Sequence, residues 1–155
     1  MESIVRTLEE LKKTISTMES CTGGAVANAI TNIEGASNIL KFSAVTYSNE
    51  FKIKMGVDKE LIDKYSVYSI EVAENMAKTI SEFTGSNYGV GITGKLNIPD
   101  PMNEDGIDNQ VFISIYDKDV DKYFNDDIFV TGNNRKESKD EIINKIESML
   151  KEIIK

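Results

Sequence analysis

The feature that most constrains this chain is the way its apolar residues switch between two spacings. Between Ser69 and Gly85, the residues Val72, Ala73, Met76, Ala77, Ile80 and Phe83 recur at intervals of three and four, which gathers them on one face of a helix. Ser69 is a suitable N-cap for that helix and Gly85 a suitable stop. Directly afterwards, Tyr88 to Thr93 is a short apolar run closed by Thr93-Gly94, the pattern of a buried strand. A chain that alternates in this way has to stack helices on a sheet.

The alternation extends over the whole sequence. Glu2 to Lys13 predicts a helix with Ile4, Val5, Leu8 and Leu11 on one face, and Thr14 to Met18 a short strand. Thr22, Gly23 and Gly24 then open a second helix through Ala25, Val26, Ala29 and Ile30. Phe42 to Tyr47 predicts the next strand, followed by a polar turn at Ser48-Asn49, a short helix carrying Phe51, Lys52 and Ile53, and a helix from Asp58 to Tyr65. Val111 to Tyr116 and Tyr123 to Val130, joined through Asp117-Lys118-Asp119, have the form of an antiparallel hairpin. A last helix places Ile142, Ile143, Ile146, Met149, Leu150 and Ile153 inward. Its start has two candidates, because Asn134 with Glu137 and Ser138 with Glu141 both have capping-box spacing; the earlier is the expectation. Lys95 to Asn109 holds both prolines together with Asp100, Glu104, Asp105 and Asp108, and reads as an irregular surface loop. The expected fold is α/β: one three-layer α/β/α domain over residues 1–155, with a mixed, mostly parallel sheet.

Composition narrows the chemistry. The net charge of -8 argues against a nucleic-acid partner, because phosphate backbones are held by clustered Lys and Arg. No run approaches the ~18 consecutive apolar residues of a membrane span, and the charged N-terminus is unlike a secretion signal, so cytoplasmic residence is the expectation. Cys21 is the only cysteine and histidine is absent. That excludes an intrachain disulfide, a cysteine-rich zinc site and any Ser-His-Asp or Cys-His catalysis. Acid-base work near neutral pH falls to Lys, Tyr, Asp or Glu with a shifted pKa.

Ligands of α/β sheets bind outside the carboxyl ends of the strands, where three turns are expected: Ser20-Cys21-Thr22-Gly23-Gly24, Tyr47 to Lys52, and Thr93-Gly94. Ser20 beside a helix start has unpaired backbone N–H groups near it, suited to an oxyanion or a phosphate. With no histidine to deprotonate it, a partly buried lysine is the natural base; Lys52 is the candidate, with Tyr47, five residues earlier, able to relay or donate a proton. From the pattern alone, Ser20 reads equally as a helix cap, and Lys52 and Tyr47 as surface and packing residues. Cys21 reads as a small buried hydrophobe rather than a nucleophile. Arg135 and Lys139 lie one turn apart at a helix start, where their charge opposes the helix dipole unless an anion binds there.

These residues resemble a known family, the C-terminal domain of the competence-damage inducible protein CinA, which also occurs alone as the nicotinamide-nucleotide amidase PncC. The matching segments are Glu19 to Gly24, Val45 to Lys52, Ser69 to Ala73 and Thr93-Gly94, in an order and spacing that span nearly the whole chain. The resemblance implies hydrolysis of the carboxamide of nicotinamide mononucleotide to nicotinate mononucleotide and ammonia, with no metal or cofactor and with a small-molecule nucleotide as partner. It implies Ser20 as nucleophile, Lys52 as general base and Tyr47 as proton relay. Cys21, Thr22, Gly23, Gly24, Ser48, Thr93, Gly94 and Arg135 would then form the substrate-binding set. Two regions differ. The family's Gly- and Pro-rich loop after Thr-Gly is replaced by Lys95-Leu96-Asn97-Ile98-Pro99-Asp100, with Asn109 in place of a later glycine, and the second of two arginines is Lys139. Lys95 is a candidate replacement charge. The alternative reading is a catalytically silent or respecialised nucleotide-binding module, and a homo-oligomer is left open.

Overall fold

The computed structural model describes residues 1–97, 101 and 104–155. Its elements, in chain order, are α1 (Glu2–Leu11), β1 (Ile15–Glu19), α2 (Ala25–Thr31), α3 (Ala36–Ile39), β2 (Leu40–Val45), α4 (Asn49–Lys54), α5 (Lys59–Tyr65), α6 (Ile70–Thr84), β3 (Tyr88–Gly94), β4 (Gln110–Asp117), β5 (Lys122–Phe129) and α7 (Arg135–Ile153). The strands form one sheet in the order β2-β1-β3-β4-β5. β1 pairs in parallel with both β2 and β3, whereas β4 is antiparallel to β3 and to β5. Four strands therefore point one way and only β4 opposes them.

Helices cover both faces. On one side α1, α2, α3 and α7 bury Val5, Leu8, Val26, Ile30, Ile142, Ile146 and Leu150 against Val90, Ile92, Val111, Ile113 and Ile115. On the other, Val72, Met76 and Ile80 of α6 close over Met18 and Ala44, joined by Val57 and Ile62. Fully burying each of these branched side chains contributes about 1.5–3 kcal/mol. β3 shows how the layers meet. Tyr88, Val90 and Ile92 face the first core, while Gly89 and Gly91 face α6 so closely that an added Cβ would lie 2.0 Å from Ala77 O and 2.2 Å from Ala73 O. The two glycines let α6 rest on the strand backbone.

The sequence expectations hold with shifts at the element ends. β2 runs Leu40–Val45 rather than Phe42–Tyr47, because its ladder with β1 finishes at Glu19↔Val45 and Thr46 N then donates to Glu19 O at 2.8 Å. Tyr47 therefore stands in the following turn. The four-residue α3 was not anticipated, being too short to show a period. Leu11 and Phe83 sit outside the core: each lies at the end of its helix, and Phe83 packs on Phe42 of the edge strand β2, ring centroids 5.4 Å apart. The earlier start of α7 is the one adopted, with Asn134 Oδ1 accepting from Glu137 N at 3.0 Å. The loop expected from 95 to 109 lies partly outside the described residues. Its ends are tied where Asn109 Oδ1 accepts from Asn97 N at 2.6 Å. Asn109 adopts φ 64°, a left-handed conformation that Asn tolerates better than most residues, which accounts for a non-glycine there.

Candidate active site

Chain order places the site. The β1-to-β2 crossover passes over one face and the β2-to-β3 crossover returns over the other, so the turns after β1 and β3 part at their shared carboxyl end, where open α/β sheets leave a crevice. A small cleft of about 70 Å³ lies there, lined by Ser20, Cys21, Tyr47, Gly94, Lys95, Leu96 and Arg135.

The turn after β1 is organised by Glu19, whose side chain is fully buried. Its Oε1 accepts from Thr22 Oγ1 at 2.6 Å and Val26 N at 3.0 Å, and its Oε2 from Ala27 N at 2.9 Å. The carboxylate thus engages the first N–H groups of α2, which have no partner within the helix. Gly23 and Gly24 take φ 60° and 95°, and Gly23 N donates to Ser20 O at 3.0 Å. Among the described residues, no acceptor meets the amides of Thr22 or Gly24. Ser20 follows the strand directly, its own N–H still in the sheet, bonded to Ile92 O at 3.2 Å.

Lys52 reaches this serine from α4. Ser48 Oγ caps α4 by accepting from Phe51 N at 3.3 Å, and one turn later Lys52 points inward, 1% exposed. Its Nζ lies 3.0 Å from Ser20 Oγ and 2.7 Å from Thr46 O. Burial pushes the ammonium down to about 8, because desolvation penalises the charged form. Burial likewise pushes the Cys21 thiol up to about 12, leaving it protonated. Tyr47 stands at the rim, 64% exposed, its hydroxyl accepting from Arg135 Nη2 at 3.2 Å; Arg135 Nη1 donates to Leu96 O at 3.0 Å.

Of the residues singled out from the sequence, the fold brings Ser20, Lys52, Tyr47, Cys21, Gly94 and Arg135 together. The side chains of Thr22, Ser48 and Thr93 are directed elsewhere: Thr22 to Glu19, Ser48 to its helix, and Thr93 Oγ1 to Val67 O at 2.9 Å. Gly23 lies beside Lys139, whose Nζ would be 3.5 Å from a Cβ at that position. The roles of Glu19 and of the Thr46 carbonyl were missed. A carboxylate ending an otherwise uncharged strand, directly before a helix start, was the available signal for Glu19. No signal marked Thr46, since a carbonyl carries none. Among the described residues, no group of three or more His, Cys, Asp or Glu side chains could hold a metal ion.

Comparison with known proteins gives the family and the fold. A family model described as the CinA C-terminal domain matches residues 1–154. The chain belongs to the CinA C-terminal domain family. This CinA domain is 37% identical over 150 residues to a CinA-like protein of Flavobacterium psychrophilum, a match covering 96% of the domain and 35% of that protein. It is 44% identical over 94 residues to a CinA-like protein of Kosmotoga olearia, covering 60% of the domain and 23% of that protein. The CinA domain therefore spans about a third or less of the length of these relatives. Among solved structures, a CinA superfamily protein from Klebsiella pneumoniae superposes with a TM-score of 0.90 at 20% identity, covering 99% of this chain and 94% of that one. The competence/damage inducible protein CihA from Agrobacterium tumefaciens gives 0.84 at 25% identity, covering 98% and 90%. These likenesses establish the CinA fold. No helix among the described residues is long and apolar enough to cross a membrane.

Proposed function

We propose that this domain is an amidohydrolase acting on the carboxamide of nicotinamide mononucleotide, with Ser20 as nucleophile and Lys52 as base. The observation that carries the reading is the buried Lys52 Nζ, 3.0 Å from Ser20 Oγ and lowered toward neutrality. A lysine so placed holds a neutral amine in an appreciable fraction of molecules at pH 7, which an exposed lysine does not.

In the reaction, neutral Lys52 takes the Ser20 hydroxyl proton as Oγ attacks the amide carbon. The free amides of the turn at Thr22 and Gly24 meet the negative oxygen of the tetrahedral intermediate. Collapse of the intermediate expels ammonia, which takes the proton from the Lys52 ammonium. Water, deprotonated by Lys52, then cleaves the acyl-serine ester to release the carboxylate and restore the hydroxyl. Tyr47, linked to Arg135 at the rim, is the further proton relay that the family resemblance assigns. The test is ammonia release from nicotinamide mononucleotide by the purified protein: it should occur and vanish in Ser20→Ala and Lys52→Ala. Unchanged release from either variant would sink the reading.

A second reading, a catalytically silent nucleotide-binding module, is favoured by the replacement of the family's Gly- and Pro-rich loop with the segment from Lys95 to Asn109. Calorimetric binding of the nucleotide without turnover across a panel of amides supports this reading, and turnover of any member excludes it.

A further inference from the structure

The two outer strands of the sheet are built differently. β5 carries Lys122, Asp126 and Asp127, charges of the kind that keep an open edge from pairing with another chain. β2 has a single charge, Lys41, near its start. Six of the eleven large apolar side chains exposed among the described residues are Phe42, Val45, Tyr47, Phe51, Ile53 and Phe83. They belong to β2 or to the turn and α4 that follow it, or pack on it as Phe83 does against Phe42, and so share one margin of the molecule. Four of them are aromatic, and at 40–64% exposure their rings present on the order of 450 Å² together. That matches the apolar share of the about 800 Å² that each partner brings to an interface of standard size.

A second copy is the occupant that this edge fits. The outward N–H and C=O groups of β2 have no strand beside them, and antiparallel pairing about a two-fold axis satisfies them with the same groups of another β2. Because β2 bulges against β1 between Leu40 and Ser43, the regular stretch is Ser43 to Val45, and side chains supply most of the area. Charge points the same way. At a net charge of -8 two copies repel one another over most of their surface, but β2 has no carboxylate, and Glu50 just after it is paired with Lys54 at 2.6 Å.

We propose that β2 pairs with β2 of a second copy in a two-fold dimer, and that the partner closes the rim of the Ser20 cleft at Tyr47. Antiparallel pairing lays the Tyr47 end of one strand beside the Lys41 end of the other, so the two Lys41 charges stay apart. Tyr47 is 64% exposed although Arg135 holds its hydroxyl, and covering it takes the proposed relay out of bulk water. The closure rests on the amidase reading; the interface does not.

Sedimentation equilibrium of the whole chain should give a dimer at about 10 μM, since interfaces of standard size associate at micromolar concentrations or below. Phe42→Asp and Phe83→Asp, both at exposed positions, should weaken the dimer tenfold or more while keeping the wild-type circular dichroism, and Phe129→Asp on β5 should leave it unchanged. A wild-type chain that stays monomeric at about 100 μM, or a dimer that neither β2-margin variant weakens, overturns the proposal. Loss of the dimer in Phe129→Asp alone would place the interface on β5 and overturn it equally. In the kinetic arm, ammonia release from nicotinamide mononucleotide per chain should fall about fivefold or more in monomeric Phe42→Asp, as water enters the rim. Equal release from monomeric and dimeric chains overturns the closure at Tyr47. A dimer that releases no ammonia defeats the amidase reading while leaving the interface in place.

Discussion

At the scale of single residues, Lys52 connects stability to chemistry. Its ammonium is lowered to about 8 in the folded protein against about 10.4 for a free lysine. Below about pH 8 the folded state bears the whole cost of burying the charge; between about 8 and 10.4 the unfolded chain holds a proton that the folded one lacks, so stability rises with pH across that window, by about 3 kcal/mol in total. Lys52→Met removes the buried charge but leaves Thr46 O without its donor, a cost of about 1–3 kcal/mol. The expected net result at pH 7 is a rise in Tm corresponding to about 1 kcal/mol, together with loss of ammonia release; a fall in Tm of several degrees would contradict it. On the proposed mechanism the same ionisation governs rate. With the neutral amine as the proposed base, kcat/KM should climb about tenfold per pH unit toward pH 8 and level off above it. A profile flat from pH 6 to 9 would exclude Lys52 as the base.

At the scale of elements, the site depends on two junctions. The first is the β1-to-α2 turn held by Glu19. Glu19→Gln keeps one acceptor oxygen for Val26 N but turns an NH2 group toward Ala27 N, leaving a buried N–H unpaired. Destabilisation of about 2–4 kcal/mol in urea unfolding is expected, with kcat reduced more than KM is raised, because the turn orients Ser20 without touching substrate. The second junction is the contact of α6 with β3. In Gly91→Ala the new Cβ would lie 2.2 Å from Ala73 O, and backbone cannot yield as a side-chain tip can. A loss of about 3 kcal/mol is expected, whereas Gly85→Ala, whose Cβ meets nothing within 4 Å, should lose only the roughly 1 kcal/mol of its positive φ. Equal Tm values for the two variants would show that the layers are not packed as described.

At the scale of the whole molecule, the layered fold itself was legible, since the alternation of three-to-four and short apolar spacings is imposed by which faces must be buried. That Ser20 and Lys52 meet was legible too, as the pairing of a proposed nucleophile with a proposed base, because the absence of histidine leaves few residues able to deprotonate a serine, and because the segments around them resemble those of a known family. Other features could not be read from the chain. Glu19 is an ordinary acidic residue until α2 folds over it, and the Thr46 carbonyl becomes a ligand for Lys52 only when β2 ends one residue earlier. Whether Thr22, Ser48 and Thr93 face the cleft or their own backbones depends on side-chain direction, which the residue types leave open. Lys95 is an ordinary lysine in the sequence, and only packing buries it to 6% exposure. The sequence by itself determined the layers and the chemistry available, because both follow from residue type and periodicity. Only the tertiary structure decided which of these groups meet, how deeply Lys52 is withdrawn from water and which cations are left without a counter-charge, because desolvation and pairing are properties of three-dimensional neighbours.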